Sequence, residues 1–173
     1  PGSAQQHLVF AAAAMPPMPE PTGVVVRRSR FPLTVNPRLA GIKTLNRLEQ
    51  VMASSEFTGE EWELIMSDTT GDLVEGTRTN LLARVGDEWL TPPVSSIAVA
   101  GVMRQYVLEC LQKVGERVVE QTLPTAIDSL PGFRGLYLLN SVFGIVAVRS
   151  FDAHDLPVDD ALATICDPIE TLE

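Results

Sequence analysis

The chain has 173 residues, enough for one domain with a sizeable core. Hydrophobic residues make up 45% of it and charged residues 20%, which excludes a disordered tail, a collagen and a disulfide miniprotein. The formal net charge is −9; a phosphate-backbone binder needs a basic face, so no nucleic-acid partner is expected.

The chain starts at Pro1 without an initiator Met and runs at once into apolar residues, which reads as a start inside a longer protein. His7–Ala14 reads as a buried strand or its end. Met15–Thr22 holds four of the thirteen prolines and reads as an extended linker. The apolar run Leu8–Met15 is too short to span a bilayer and lacks a preceding basic segment, so neither a membrane partner nor a signal peptide is expected. Gly23–Leu33 reads as a strand that turns polar, and Pro37–Ala40 as a loop. Leu45, Leu48, Val51 and Met52 recur at helical spacing, which predicts a helix over Thr44–Ser54, beginning just after Lys43.

Glu63–Ser67 and Leu73–Gly76 flank Asp68–Asp72, good hairpin chemistry. Asn80–Val85 and Glu88–Thr91 flank Gly86-Asp87, a second hairpin that Pro92 and Pro93 bring to an end. Gly101–Val114 is an amphipathic helix closed by Gly115. Arg117–Leu123 reads as a strand, Ala126–Leu130 as a short helix and Pro131-Gly132 as a turn. Gly135–Val148 reads as two short strands broken near Asn140–Gly144, and Asp159–Ile165 as the last helix. Strands outnumber helices and several join as hairpins, so the expected class is α+β rather than a βαβ alternation. No G-x-G-x-x-G or P-loop occurs. Cys110 and Cys166 have no metal-ligand or C-x-x-C spacing, so reduced thiols in a cytoplasmic protein are expected. His7 and His154 are isolated, and no metal site is expected. The acidic stretch from Asp152 to Asp167 reads as solvated surface.

Four places could carry chemistry. Only two of the thirteen basic residues are lysines. Lys113 sits near a helix end, where a solvated cation suits the dipole. Lys43 lies between Leu39-Ala40-Gly41-Ile42 and Thr44-Leu45; it reads either as a snorkelling lysine at a helix start or as an amine that can lose its charge and form a Schiff base. Glu75, within Leu73-Val74-Glu75-Gly76, reads either as the outward residue of an alternating strand or as a carboxylate for a protonated ring nitrogen. Gly101-Val102-Met103 opens a helix whose free N–H groups suit a phosphate, as any helix start does. Ser141 is a hydroxyl in an apolar stretch, a turn serine by default.

In order, Lys43-x-x-Asn46, Glu75-x-Thr77-x-x-Asn80-Leu81, Leu90-Thr91-Pro92 and Val99-x-Gly101-Val102-x-Arg104 resemble the class IV aminotransferase family. The resemblance runs from about Gly23 to Val148. It departs at Leu82, where the family usually has Phe or Tyr, and at Trp89, where a smaller aliphatic residue is usual. Asn36–Gln50 and Gly101–Gln105 look most like the 4-amino-4-deoxychorismate lyases of that family. The resemblance implies fold type IV, like D-amino-acid aminotransferase, with residues 23–173 as the large cofactor-binding domain and residues 1–22 as the linker and remnant of a small amino-terminal domain, otherwise missing.

What the resemblance implies about chemistry is specific. The cofactor is pyridoxal phosphate. Lys43 resembles the lysine that carries it covalently and later shuttles protons. Glu75 resembles the carboxylate that keeps the pyridine nitrogen protonated. The N–H groups of Val102 and Met103, with the Ser141 hydroxyl, resemble the phosphate cup, and Asn80 supports the loop near the ring. Arg47, one helical turn from Lys43, is a weak candidate for a substrate carboxylate; otherwise it is a surface cation paired with a nearby Glu. The expected activity converts a small-molecule substrate, 4-amino-4-deoxychorismate, to pyruvate and 4-aminobenzoate in the cytoplasm, in a homodimer. The alternatives are an aminotransferase of D-amino or branched-chain amino acids, or an inactive truncated fragment of the lyase.

Overall fold

The computed structural model describes residues 8–34, 36–95 and 98–166. In chain order its elements are β1 (Val24–Arg28), α1 (Leu48–Ser54), β2 (Glu63–Ser67), β3 (Leu73–Gly76), β4 (Asn80–Val85), β5 (Glu88–Thr91) and α2 (Val102–Lys113). There follow β6 (Arg117–Glu120), a 3₁₀ turn at Ile127–Ser129, β7 (Phe133–Asn140), β8 (Gly144–Phe151), β9 (His154–Asp155) and α3 (Ala161–Ile165).

The strands form one sheet in the order β3-β2-β1-β8-β7-β4-β5-β6, with β9 beside β8. Both expected hairpins, β2–β3 and β4–β5, pair antiparallel. β1 runs parallel between β2 and β8. The sheet also closes on itself: β3 pairs with β4 through Glu75 opposite Asn80, so six strands form a barrel and β5–β6 extend from it. Closure removes a sheet edge, and it does so at two of the expected site residues.

Apolar alternation sorts side chains to the two sheet faces. Leu81, Ala83, Leu136 and Leu138 pack on one side, with Val24, Val26, Ile65 and Val148. Leu82, Tyr137 and Leu139 point the other way, onto Val107, Leu108 and Leu111 of α2. Each fully buried aliphatic side chain contributes about 1.5–3 kcal/mol, so these contacts anchor α2 to the barrel. Leu82 and Trp89, the two departures from the family pattern, are both fully buried in this layer.

Several boundaries differ from the sequence reading. Residues 8–14 form no strand and are exposed; Leu8, Val9 and Phe10 are 80–87% accessible. A strand needs a neighbour to satisfy its backbone, and none lies beside this segment among the described residues. His7 and Asp167 lie outside the described residues. The first helix starts at Leu48, four residues later than expected, because the Thr44 hydroxyl accepts the Asn46 N–H at 3.2 Å and offers the backbone a local turn instead. β7 and β8 run eight residues each rather than forming two short strands, since each has partners on both sides. The acidic stretch is not wholly solvated: Asp159 pairs with Arg84 at 3.0 Å.

Candidate active site

Glu75 is buried, 3% exposed, which rules out the outward-facing reading. Its Oε2 accepts the Val99 N–H at 2.8 Å and its Oε1 the Gln50 side-chain amide at 3.4 Å. Burial pushes its carboxyl above the usual range, opposed by the Val99 N–H, the Arg47 charge, the Gln50 amide and the Lys43 charge. Across the closing pair, Asn80 Nδ2 donates to the Val99 carbonyl at 2.8 Å. Val99 is therefore gripped at both its N–H and its C=O by the two residues that close the barrel.

Gly101 follows two residues later and caps α2 without a side-chain hydrogen bond. The first intrahelical bond of α2 runs from the Gln105 N–H to the Gly101 carbonyl. The amides of Val102, Met103 and Arg104 precede it and lack helical partners, a ready anion site. Glycine is required here, because a Cβ on Gly101 would collide with Asn80 Oδ1. Arg104, 3% exposed, fixes this first turn by donating to Thr91 Oγ1 and the Pro92 carbonyl, both at 3.2 Å, and by pairing with Glu120 at 3.1 Å.

One cavity of about 570 Å³ gathers the expected residues: Lys43, Glu75, Asn80, Val102, Met103 and Ser141 all line it. Arg47 lines it too. Lys43 itself is exposed, and so is its neighbour Ile42, so the flanking aliphatic residues do not bury the amine. Its approach to Glu75 is electrostatic, as the effect on the carboxyl shows. Arg47 is not a helical turn from Lys43, since residues 44–47 are not helical. Its guanidinium donates to the Thr77 carbonyl at 2.9 Å, and among the described residues it pairs with no glutamate. Ser141 lies exposed in a turn that Asn140 closes, with Asn140 Oδ1 accepting the Val142 and Phe143 amides at 3.0 and 2.8 Å.

Sequence reasoning missed two residues that hold this site together, Gln50 on α1 and Glu63 on β2. Gln50 reaches Glu75 because α1 packs beside β2 and β3; its Oε1 is buried without a hydrogen-bond partner. Its only signal in the sequence was a polar residue on the helix face nearest the barrel. Glu63 begins an apolar strand and gave no signal beyond being a charge in a strand.

A cavity that offers a primary amine, a buried carboxylate and free helix N–H groups suits a ligand with a carbonyl, a ring nitrogen and a phosphate. The family model for amino-transferase class IV matches residues 1–151, and the chain belongs to the class IV aminotransferase family. It is 33% identical over 130 residues to an aminodeoxychorismate lyase of Vibrio harveyi, covering 73% of this chain and 46% of that protein. It is 30% identical over 149 residues to a putative branched-chain-amino-acid aminotransferase of Methanocaldococcus jannaschii, covering 83% and 50%. The crystal structure of 4-amino-4-deoxychorismate lyase from Pseudomonas aeruginosa superposes with a TM-score of 0.82 at 33% identity, covering 90% of this chain and 58% of that one. More distant aminotransferases that share the fold have been solved with PLP bound. The chain spans about half the length of the curated relatives it matches.

Proposed function

We propose that the chain is the cofactor-binding part of a pyridoxal-phosphate enzyme of the 4-amino-4-deoxychorismate lyase type, yielding 4-aminobenzoate and pyruvate for folate synthesis. Residues 23–173 are then the large domain and residues 1–22 the end of the small one. One observation carries the reading: Lys43, buried Glu75 and the uncapped start of α2 share a single cavity.

The donor set fits three of the group's polar ends. Lys43 would hold its aldehyde, Glu75 its ring nitrogen, and the Val102 and Met103 amides with the Ser141 hydroxyl its phosphate. Bound there, the ring supplies an electron sink for the charge left when a substrate carbon loses a proton. The Glu75 carboxylate, oriented by the Val99 N–H, keeps a proton on the ring nitrogen. Asn80 holds Val99 and so holds that orientation. The Lys43 amine moves the proton at the amine-bearing carbon of the substrate. The α2 dipole offsets phosphate charge without a side chain. Arg47 is the candidate for a substrate carboxylate, on its place at the cavity wall.

Two relatives at 33% identity carry the lyase name, which favours that reaction. The aminotransferase reading draws on the Methanocaldococcus jannaschii relative, 30% identical over 149 residues. Ile42, Leu45, Leu48 and Val51 are each exposed, and such uncovered apolar side chains support a homodimer, measurable by light scattering. Among the described residues neither Cys110 nor Cys166 is in a disulfide, which supports a cytoplasmic setting, and no helix is long and apolar enough to cross a membrane.

The test is a pyridoxal-phosphate titration of wild type and Lys43→Ala, followed by absorbance. A visible band in wild type that the variant lacks is expected. With 4-amino-4-deoxychorismate added, pyruvate release without a keto-acid acceptor is expected. Turnover only with an amino acid and 2-oxoglutarate means an aminotransferase, and no lysine-dependent band means a chain that keeps the fold without the cofactor.

A further inference from the structure

The strongest unexplained group lies behind the cavity. Glu63 is completely buried, 0% exposed, on the first residue of β2. A carboxylate taken out of water is costly unless its oxygens are satisfied, and nearly all of its partners come from one place. Its Oε1 accepts the Thr77 N–H at 3.2 Å and the Thr77 hydroxyl at 2.6 Å, besides the Leu64 N–H at 2.9 Å. Its Oε2 accepts the Arg78 N–H at 3.2 Å and the Thr79 hydroxyl at 3.1 Å. Residues 77–79 are the whole link between β3 and β4, the link that sets Glu75 opposite Asn80.

The turn is also tied from outside, by the Thr77 N–H to the Leu64 carbonyl at 3.1 Å, by Arg47 to the Thr77 carbonyl at 2.9 Å and by Arg78 Nη2 to the Trp62 carbonyl at 2.7 Å, but the carboxylate accepts more of its hydrogen bonds than any other group. The Gly76 N–H reaches the Thr79 carbonyl at 2.7 Å, and that position must be glycine, since a Cβ would run into Thr79 Oγ1 and the Glu63 side chain. The turn is thus wrapped on the carboxylate. Beyond it the chain of contacts is continuous: Glu75 holds the Val99 N–H and Asn80 the Val99 carbonyl, and Gly101 begins α2 two residues on.

We infer that Glu63 is a positioning residue for the cavity: by accepting four hydrogen bonds from residues 77–79 it sets the barrel-closing pair, and through Val99 it aligns the Glu75 carboxylate with the start of α2. It touches neither ligand nor reacting atoms. The inference rests on the reading of this cavity as a pyridoxal-phosphate site for its effect on affinity, while its effect on local structure needs no ligand.

Glu63→Gln keeps the shape but sets an NH₂ group against donors, so at least one of the bonds fails whichever way the amide turns. Thr77→Val removes one donor from the other side, and Thr77→Ser restores it. Two readouts are taken. In the protein without ligand, amide hydrogen exchange is followed at Val99 and across β7 and β8. Pyridoxal-phosphate affinity is then measured by absorbance titration. Faster exchange at Val99 is expected in Glu63→Gln and Thr77→Val, with β7 and β8 unchanged. Affinity should be about tenfold weaker in both variants, and near wild type in Thr77→Ser. If Glu63→Gln does not fold, the Thr77 pair carries the test. Wild-type Val99 protection and affinity in the variants would overturn the inference, as would exchange that rises evenly through β7 and β8. If wild type shows no lysine-dependent band but Val99 still loses protection locally, the cofactor reading fails and the positioning role stands.

Discussion

Two buried glutamates on neighbouring parts of the barrel are treated in opposite ways. Glu61, just before β2, accepts from the Thr58 hydroxyl at 2.6 Å and from Arg27 Nε and Nη2 at 3.2 and 2.8 Å, besides the Thr58 and Glu60 amides. The Thr58 hydroxyl above all, with Arg27 and the amides, outweighs burial and holds its carboxyl down at about 2. Glu75 receives one good N–H and one long amide contact, and burial wins. The difference is donor count together with depth, since burial is the largest influence on Glu75 and the Thr58 hydroxyl the largest on Glu61. A carboxylate surrounded by donors ties the structure together. One left with open acceptor positions, beside a cavity with an amine and free N–H groups, costs stability and is available to a ligand.

The largest expected effect comes from removing that open charge. Glu75→Gln should lower turnover by roughly 10²–10³-fold if the carboxylate stabilises charge at the ring. The same change should raise the melting temperature of the ligand-free protein at neutral pH. The sign follows from the direction of its shift: a carboxyl raised above its ordinary value of 4.5 costs the fold stability when ionised, above that pH. The advantage of the variant should therefore shrink as pH falls through 4.5. Equal melting curves at neutral pH would erase the contrast between the two glutamates.

Gly101→Ala comes next. The new methyl meets Asn80 Oδ1, so Asn80 must give up Val99 or α2 must shift. Denaturant melts should show a loss of about 1–3 kcal/mol, and cofactor affinity should fall with it. At the other glutamate, Thr58→Ala removes the hydroxyl that donates to Glu61, worth about 1 kcal/mol. Glu61 is held low, so its contribution is full above its ordinary value of 4.5 and is lost as pH falls toward 2. The deficit of Thr58→Ala should be complete at neutral pH and fade across that window; a deficit independent of pH would mean the hydroxyl acts by packing alone. Smallest is Ser141→Ala. An exposed hydroxyl beside backbone donors should change cofactor affinity only a few-fold, readable by titration, with no change in melting temperature.

The parts of the fold legible in the sequence were those fixed by neighbours in the chain. The turn residues from Asp68 to Asp72 and the pair Gly86-Asp87 announce their hairpins locally, and Gly115 announces the end of α2. The start of α1 was misread because apolar spacing says nothing about the Thr44 hydroxyl that captures the Asn46 amide. The segment at residues 8–14 was apolar enough for a strand but has no neighbour beside it among the described residues. The site followed the same division. Lys43, Glu75 and Gly101 stood out in the family's spacing, and the cavity brings them together. Barrel closure at Glu75 and Asn80 was invisible, because it is set by a carboxylate on β2 whose partners lie fourteen to sixteen residues away. Glu63 looked like any charge at the end of a strand.

The central claim is that this cavity presents Lys43 to pyridoxal phosphate. The chain has only two lysines, so borohydride reduction after incubation with the cofactor, followed by peptide mass mapping, tests it directly. A phosphopyridoxyl adduct on the peptide containing Lys43, absent from Lys113 and weakened in Glu75→Gln, is the predicted result. Equal labelling of both lysines, or label on Lys113 alone, would contradict it.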